Sequence, residues 1–137
     1  MKVFLDTNVL AYRYDDRDPA KRDRAEGIPD EVTSRPWIST QVLIELHNVL
    51  TRALGFTREE AQEVIESNGY HVQVADAALV YDAAATAIQH QLRIYDAMIL
   101  EAAVRAGCDE LWTEDFSAGA TLRGVRIVNP FATVPDR

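Results

Sequence analysis

Apolar residues along this chain fall either into short unbroken runs or into stripes at helical spacing, and the two kinds alternate. Val3, Phe4 and Leu5 form a run that predicts a strand over residues 2–5, ending in Asp6. A short helix follows over 8–13. After a charged loop, Asp18 is suited to cap a second helix with Pro19 at its first position, and Gly27 and Pro29 are expected to end it. Trp37 and Ile38 make a short strand. Ser39 or Thr40 then caps a helix over 41–54, where Val42, Leu46, Val49 and Ala53 form one stripe. Gly55 closes that helix, and Thr57 with Glu60 has the spacing of a capping box for the next, to about residue 67. The two helices read as a hairpin. A third strand is expected over 71–74, an Asp76-capped helix over 77–91, a further helix over 95–106 ending at Gly107, and strands over 110–112 and 125–129. Strand and helix signals in alternation favour an α/β domain with a mainly parallel sheet.

Four acids stand beside these elements. Asp6 ends the first strand, so its side chain leaves the sheet at the carboxyl edge, where open α/β sheets put their ligands. Taken alone, Asp6 serves equally well as the N-cap of the next helix. Glu45 borders the Val42 stripe, between core and solvent. Asp96 is the strongest single signal, because Ile99, Leu100 and Ala103 follow at i+3, i+4 and i+7 and place the carboxylate on the buried face in the first helical turn. Asp115 follows the strand at Leu111 and Trp112 through Thr113 and Glu114, and Glu114 competes with it for the same role. Gathered without a counter-ion, four carboxylates repel one another and raise each other's pKa. A hard divalent cation removes that cost, so their convergence would mark a metal site.

Composition narrows the picture. At 137 residues the chain suits one domain spanning 1–137 with one core. No apolar stretch approaches the roughly 20 residues of a membrane span, and the polar turn at Asp6 comes too early for a signal peptide, so a cytoplasmic chain starting at Met1 is expected. Cys108 is the only cysteine, which excludes an internal disulfide and a thiolate zinc cluster and suits a small residue packed near the Gly107 turn. Fourteen basic against 22 acidic residues give a net charge of −8, which argues against a polyanionic partner unless some acids hold metal. Apart from Lys2 and Lys21 the basic residues are arginines, the better bidentate phosphate ligands. Arg13, Arg17, Lys21, Arg22 and Arg24 cluster after the first acid, as a solvated face or as a patch that tracks phosphates.

Other chemistries find little support. His47, His71 and His90 share no zinc-like spacing, and the chain holds no phosphate-binding GxxxxGK[ST], no GxSxG and no glycine-rich dinucleotide turn. A phosphatase of the DxD type would need an acid at Asn8. A receiver domain would need a late lysine, and none follows Lys21.

The segments FLDTNVL, TQVLIEL, YDAMILEAA and LWTEDF, in this order and at these separations, resemble a PIN domain, and in particular the VapC-type ribonucleases of bacterial toxin-antitoxin pairs. The resemblance covers essentially the whole chain. It implies a three-layer α/β/α fold around a central, mainly parallel five-stranded sheet, and a Mg²⁺-dependent endoribonuclease, with Mn²⁺ a possible substitute. It further implies a homodimer and a cognate antitoxin that wraps the toxin and blocks its site. Carried over by position, the catalytic and metal-holding acids are Asp6, Glu45, Asp96 and Asp115, with Asp6 and Asp96 the direct Mg²⁺ ligands, while Thr7, Asn8 and Thr113 support them by hydrogen bonding. The long segment from Arg17 to Arg35 departs from the family's shorter loop and leaves the second helix open.

The mechanism expected is phosphodiester hydrolysis by metal-bound water, without a covalent intermediate. Two alternatives stand beside it: a catalytically inactive PIN-fold binding or scaffold protein, and a PIN nuclease that acts in RNA maturation or on DNA. Which RNA is cut, and whether one or two ions are held, is not written in the sequence.

Overall fold

A computed structural model describes residues 1–134 of the chain. In chain order its elements are β1 (Val3–Leu5), α1 (Thr7–Ala11), a 3-10 turn (Tyr12–Tyr14), α2 (Pro19–Glu31), β2 (Trp37–Ser39), α3 (Thr40–Arg52), α4 (Arg58–Glu66), β3 (His71–Gln73), α5 (Ala77–His90), α6 (Ile94–Arg105), β4 (Glu110–Trp112), β5 (Thr121–Leu122) and β6 (Val125–Val128). The strands form one sheet in the order β3-β2-β1-β4-β6-β5. All pairings are parallel except β5 with β6. Helix α6 packs on β2, β4 and β6 with α5 against it, and α1, α3 and α4 form the second helical group, giving the α/β/α layering.

The core is built from the runs and stripes themselves. Phe4, Ile38, Leu111 and Ile127 on the four central strands are fully buried, and Val42, Leu46, Leu50, Leu79, Ile99 and Leu100 close over them from the helices. Burial of these side chains on both faces is what three-residue parallel strands need, because each strand contributes few hydrogen bonds of its own.

The capping signals of the sequence are used as written. Asp18 accepts from the Lys21 amide, Ser39 from Val42, and Asp76 from Leu79, while Thr57 and Glu60 make both arms of a capping box. Gly107 turns the chain after α6 at φ +70, which a side chain would strain, and Cys108 beside it is buried.

Two expectations need correction. The sheet has six strands rather than five: β5 is a two-residue edge strand joined to β6 by a tight turn in which Arg123 and Gly124 both hold positive φ, +52 and +78. That is the two-residue hairpin geometry, and no apolar run announces it. The second helix does not end at Gly27 and Pro29 but continues to Glu31. Pro29 removes one amide from the last turn, whereas Ala25 and Ile28 on the same helix are buried and hold it against the core. The first helix starts at Thr7 and tightens into the 3-10 turn from Tyr12, and the remaining boundaries agree within one to three residues.

Candidate functional site

In this strand order the chain leaves β1 toward β2 and β3 on one side, then returns to β4 on the other. The carboxyl ends of β1 and β4 therefore flank the point where the winding reverses, the crevice in which open α/β sheets bind ligands. Leu5 pairs with Trp112, so the next residues, Asp6 and Thr113, stand side by side at that edge. Backbone bonds fix both: Asp6 donates its amide to Trp112 O at 3.0 Å, and Thr113 donates to Val128 O at 2.9 Å.

A connected set of side-chain bonds grows from this pair. Asp6 is 3% exposed. Its Oδ1 accepts from the Thr7 amide at 2.7 Å, so it is the cap of α1, and its Oδ2 accepts from the Thr113 hydroxyl at 2.8 Å. Thr113 Oγ1 in turn accepts from Asn8 Nδ2 at 3.3 Å and from the Asp115 amide at 3.1 Å. Thr7 Oγ1 donates to Glu45 Oε2 at 2.7 Å, joining α1 to α3. The other oxygen of Glu45 accepts from Gln41 Nε2 at 2.7 Å, and that amide also donates to the Tyr95 carbonyl, 3.2 Å away at the start of α6.

Two of the other acids act on Asp6. Burial pushes the Asp6 carboxyl up to about 7; the Thr113 and Thr7 bonds oppose the rise, and the charges of Asp115 and Glu45 add to it. Asp6, Glu45 and Asp115 have no ion-pair partner among the described residues. Glu45 and Asp115 line a cavity of about 420 Å³ together with Thr7, Asn8 and Tyr12. Asp96 is buried in the first turn of α6, 9% exposed, with Oδ2 accepting from Arg93 Nε at 3.3 Å. Like Asp6 it does not line the cavity, and its carboxylate makes no bond to the other acids; Gln41, bound to Glu45, reaches only the backbone carbonyl of its neighbour Tyr95. Among the described residues no three acids or imidazoles are already closed into a chelating group.

Glu114 and Asp115 separate cleanly. Glu114 is bound by Tyr12 Oη and by Lys21 Nζ, the latter at 2.9 Å, and Lys21 also lies over the Tyr12 ring, 4.9 Å from its centroid. The Glu114 charge is thus neutralised inside the protein, while Asp115, next along the chain, is exposed at the cavity.

The model of the PIN domain matches residues 3–118. This chain belongs to the PIN domain family. No curated protein matches the chain by sequence. Among solved structures, this PIN domain is similar to VapC20 of Mycobacterium tuberculosis, a toxin that cleaves the sarcin-ricin loop, with a TM-score of 0.72 and 21% identity over 88% of this chain and 97% of that one. It is also similar to a toxin-antitoxin complex from Klebsiella pneumoniae, at 0.71 and 20% over 93% and 97%. The DNA-bound VapBC of Salmonella typhimurium gives 0.63 and 24% over 93% and 96%.

The residues that sequence reasoning missed are mostly partners of acids it found. Gln41 precedes Glu45 by four positions, which is the helical spacing that lets an amide reach a carboxylate, so its signal was present. Lys21 stood out only as one of the basic cluster, and its pairing with Glu114 gave no signal, because 93 residues separate the two. Of the basic cluster, Arg17 pairs with Asp15, Arg22 with Asp16 and Glu26, and Arg24 with Glu31, which makes these residues chiefly structural.

Proposed function

We propose that this PIN domain is a Mg²⁺-dependent endoribonuclease, with Mn²⁺ able to substitute, and that it acts as the toxin of a toxin-antitoxin pair. The observation that carries the reading is the unpaired trio Asp6, Glu45 and Asp115 at the switch point of the sheet, with Asp6 pushed up to about 7 by burial and by its two neighbours. Among the described residues nine other acids, Asp96 included, are ion-paired to arginine or lysine, so the lack of a cation on this trio is a local feature.

The donor set fits a hard ion. It consists of carboxylate oxygens oriented by hydroxyl and amide N–H donors behind them, and includes no thiolate or imidazole. Asp6, Glu45 and Asp115 would hold the ion with Asp96 completing the set from α6. When bound, Mg²⁺ or Mn²⁺ supplies a water of lowered pKa and charge stabilisation on the phosphoryl oxygens. The chain's own contribution is orientation. Thr113 and the Thr7 amide fix both oxygens of Asp6, Thr7 and Gln41 fix both oxygens of Glu45, and Thr113 holds the backbone from which Asp115 projects.

The toxin role rests on the likeness to VapC20 and to the toxin-antitoxin complexes. By the same likeness we propose a homodimer and a cognate antitoxin, whose amphipathic helix would lie against the hairpin of α3 and α4. The purified chain should cut single-stranded RNA in Mg²⁺, lose all cleavage in EDTA and spare the matching DNA. Full cleavage in EDTA, with contaminating nuclease excluded, would overturn the metal mechanism; equal cleavage of DNA would remove the RNA assignment. Co-expression with the product of the neighbouring gene should relieve growth inhibition. A harmless chain with no binding neighbour would favour a housekeeping nuclease.

A further inference from the structure

The segment that begins at Asp6 runs directly from the acid cavity into a second one. Asn8 and Tyr12 face the first cavity; Arg13 and Tyr14, at the end of the same helical segment, line a neighbouring cavity of about 300 Å³ with Phe56. The two cavities share Asp15 as a wall. Charges in the second cavity largely cancel, since Arg17 is paired with Asp15 and Arg22 with Asp16 and Glu26. Arg13 is different. It has no ion-pair partner among the described residues, and its Nη1 donates to a neutral phenol, Tyr70 Oη, at 2.8 Å. That bond steadies the guanidinium without neutralising it. Tyr14 and Phe56 stand edge to face beside it, with ring centroids 5.9 Å apart. A fixed, uncompensated guanidinium next to aromatic rings is the chemistry that holds a single-stranded nucleotide, phosphate on the cation and base against the ring.

We propose that Arg13 binds a backbone phosphate of the substrate strand adjacent to the scissile one. The proposal rests on the nuclease reading above. Seven residues of helical rise put Arg13 about 10 Å along the axis from Asp6, too far to share one phosphate and near enough to take a neighbouring one. The two cavities thus divide the work by sign. The acid cavity binds the strand only where a metal ion intervenes, and the Arg13 cavity binds it directly. Such an arrangement fixes which phosphate reaches the acids.

The test uses the full chain, Arg13→Gln, Arg13→Lys and Tyr70→Phe, with a fluorescein-labelled single-stranded RNA of mixed sequence. Binding is read by anisotropy at several salt concentrations with Ca²⁺ replacing Mg²⁺, and cleavage is followed separately in Mg²⁺. One phosphate contact changes the slope of log K against log salt by about 0.7, or about fivefold in affinity at 0.1 M. Arg13→Gln should therefore weaken binding about fivefold, flatten the slope by about 0.7 and raise KM in step, with kcat within about twofold. Arg13→Lys should keep the slope, and Tyr70→Phe, which removes the steadying bond and leaves the charge, should keep it too. An unchanged affinity and slope in Arg13→Gln would overturn the proposal while cleavage by the wild type left the nuclease reading intact. A wild type that binds RNA with an Arg13-dependent slope but never cuts it would sustain the phosphate site and refute the nuclease. If Arg13→Gln impairs only capture of the co-expressed antitoxin, or if the wild type binds no RNA, the phosphate site is refuted.

Discussion

The Asp6 carboxylate should make the apo protein less stable as the solution becomes less acidic, and Asp6→Asn should cancel that dependence. Burial, with Asp115 and Glu45 nearby, raises its pKa from 3.8 to about 7. Between these values the folded chain keeps a proton that the unfolded chain has released, so stability falls with rising pH. The loss is about 1.4 kcal/mol per pH unit and totals about 4 kcal/mol once pH exceeds 7. Below about pH 4 both states are protonated and the term vanishes. The amide oxygen introduced by Asp6→Asn would still accept from the Thr7 amide, but the new NH₂ would meet Thr113 Oγ1, which already accepts from Asn8 and the Asp115 amide. That mismatch costs about 1–3 kcal/mol at every pH. Wild type should therefore be the more stable protein near pH 4 and the less stable one at pH 8, with the two curves crossing between. The assay is urea unfolding in EDTA from pH 4 to 8, taken as the difference between the two proteins so that other titrations cancel. Parallel curves without a crossing would refute the account of Asp6. Adding Mg²⁺ at pH 8 should then stabilise wild type by about 2.7 kcal/mol at a hundredfold excess over Kd, and the variant by much less.

The bonds around the site set three further outcomes. Asp96→Asn should keep the apo fold, lose most of the Mg²⁺-dependent rise in Tm and lower cleavage by orders of magnitude; a full Mg²⁺ response in calorimetry would reduce Asp96 to a first-turn acid. Gln41→Ala frees one oxygen of Glu45 and unties α3 from Tyr95, so Mg²⁺ titration should show affinity down by about 10-fold or more, and an unchanged affinity would show that Glu45 needs no such restraint. Lys21→Met strands the largely buried Glu114 against Tyr12 and should cost about 2–3 kcal/mol in chemical denaturation, with Lys21→Met/Glu114→Gln recovering most of it; equal loss in the double variant would mean that packing of the lysine stem, not the charge, matters.

What the sequence could tell follows the range of each interaction. Caps such as Ser39, Asp76 and the Thr57–Glu60 box act within four residues, and the structure uses all of them. Strand-end acids were legible because Leu5 and Trp112 end apolar runs, and parallel pairing then brings Asp6 to Thr113. The choice between Glu114 and Asp115 was not legible, since it is made by Lys21 and Tyr12 from far upstream. Strand β5 carries almost no hydrophobic signal; it exists because the Arg123–Gly124 turn folds it onto β6 and because Arg123 is held in turn by two 3.0 Å bonds to the buried Glu101. Helix α2 outran its glycine and proline because Ile28 gained a place in the core that local propensity does not count.

The pairing of β1 with β4 has a consequence for synthesis. A ribosome releases Asp6, Glu45 and Asp96 well before Thr113 and Asp115, yet it is Thr113 that orients Asp6 and Trp112 that accepts its amide. Until β4 emerges, β1 has no neighbour on that side, and Asp6 lacks both the Trp112 carbonyl and the Thr113 hydroxyl that fix it. Nascent or prematurely terminated chains that stop short of residue 110 would therefore carry most of the helices but remain unarmed. On the nuclease reading, any hazard that the finished fold poses to the RNA of its own host arises only after β4 has left the ribosome.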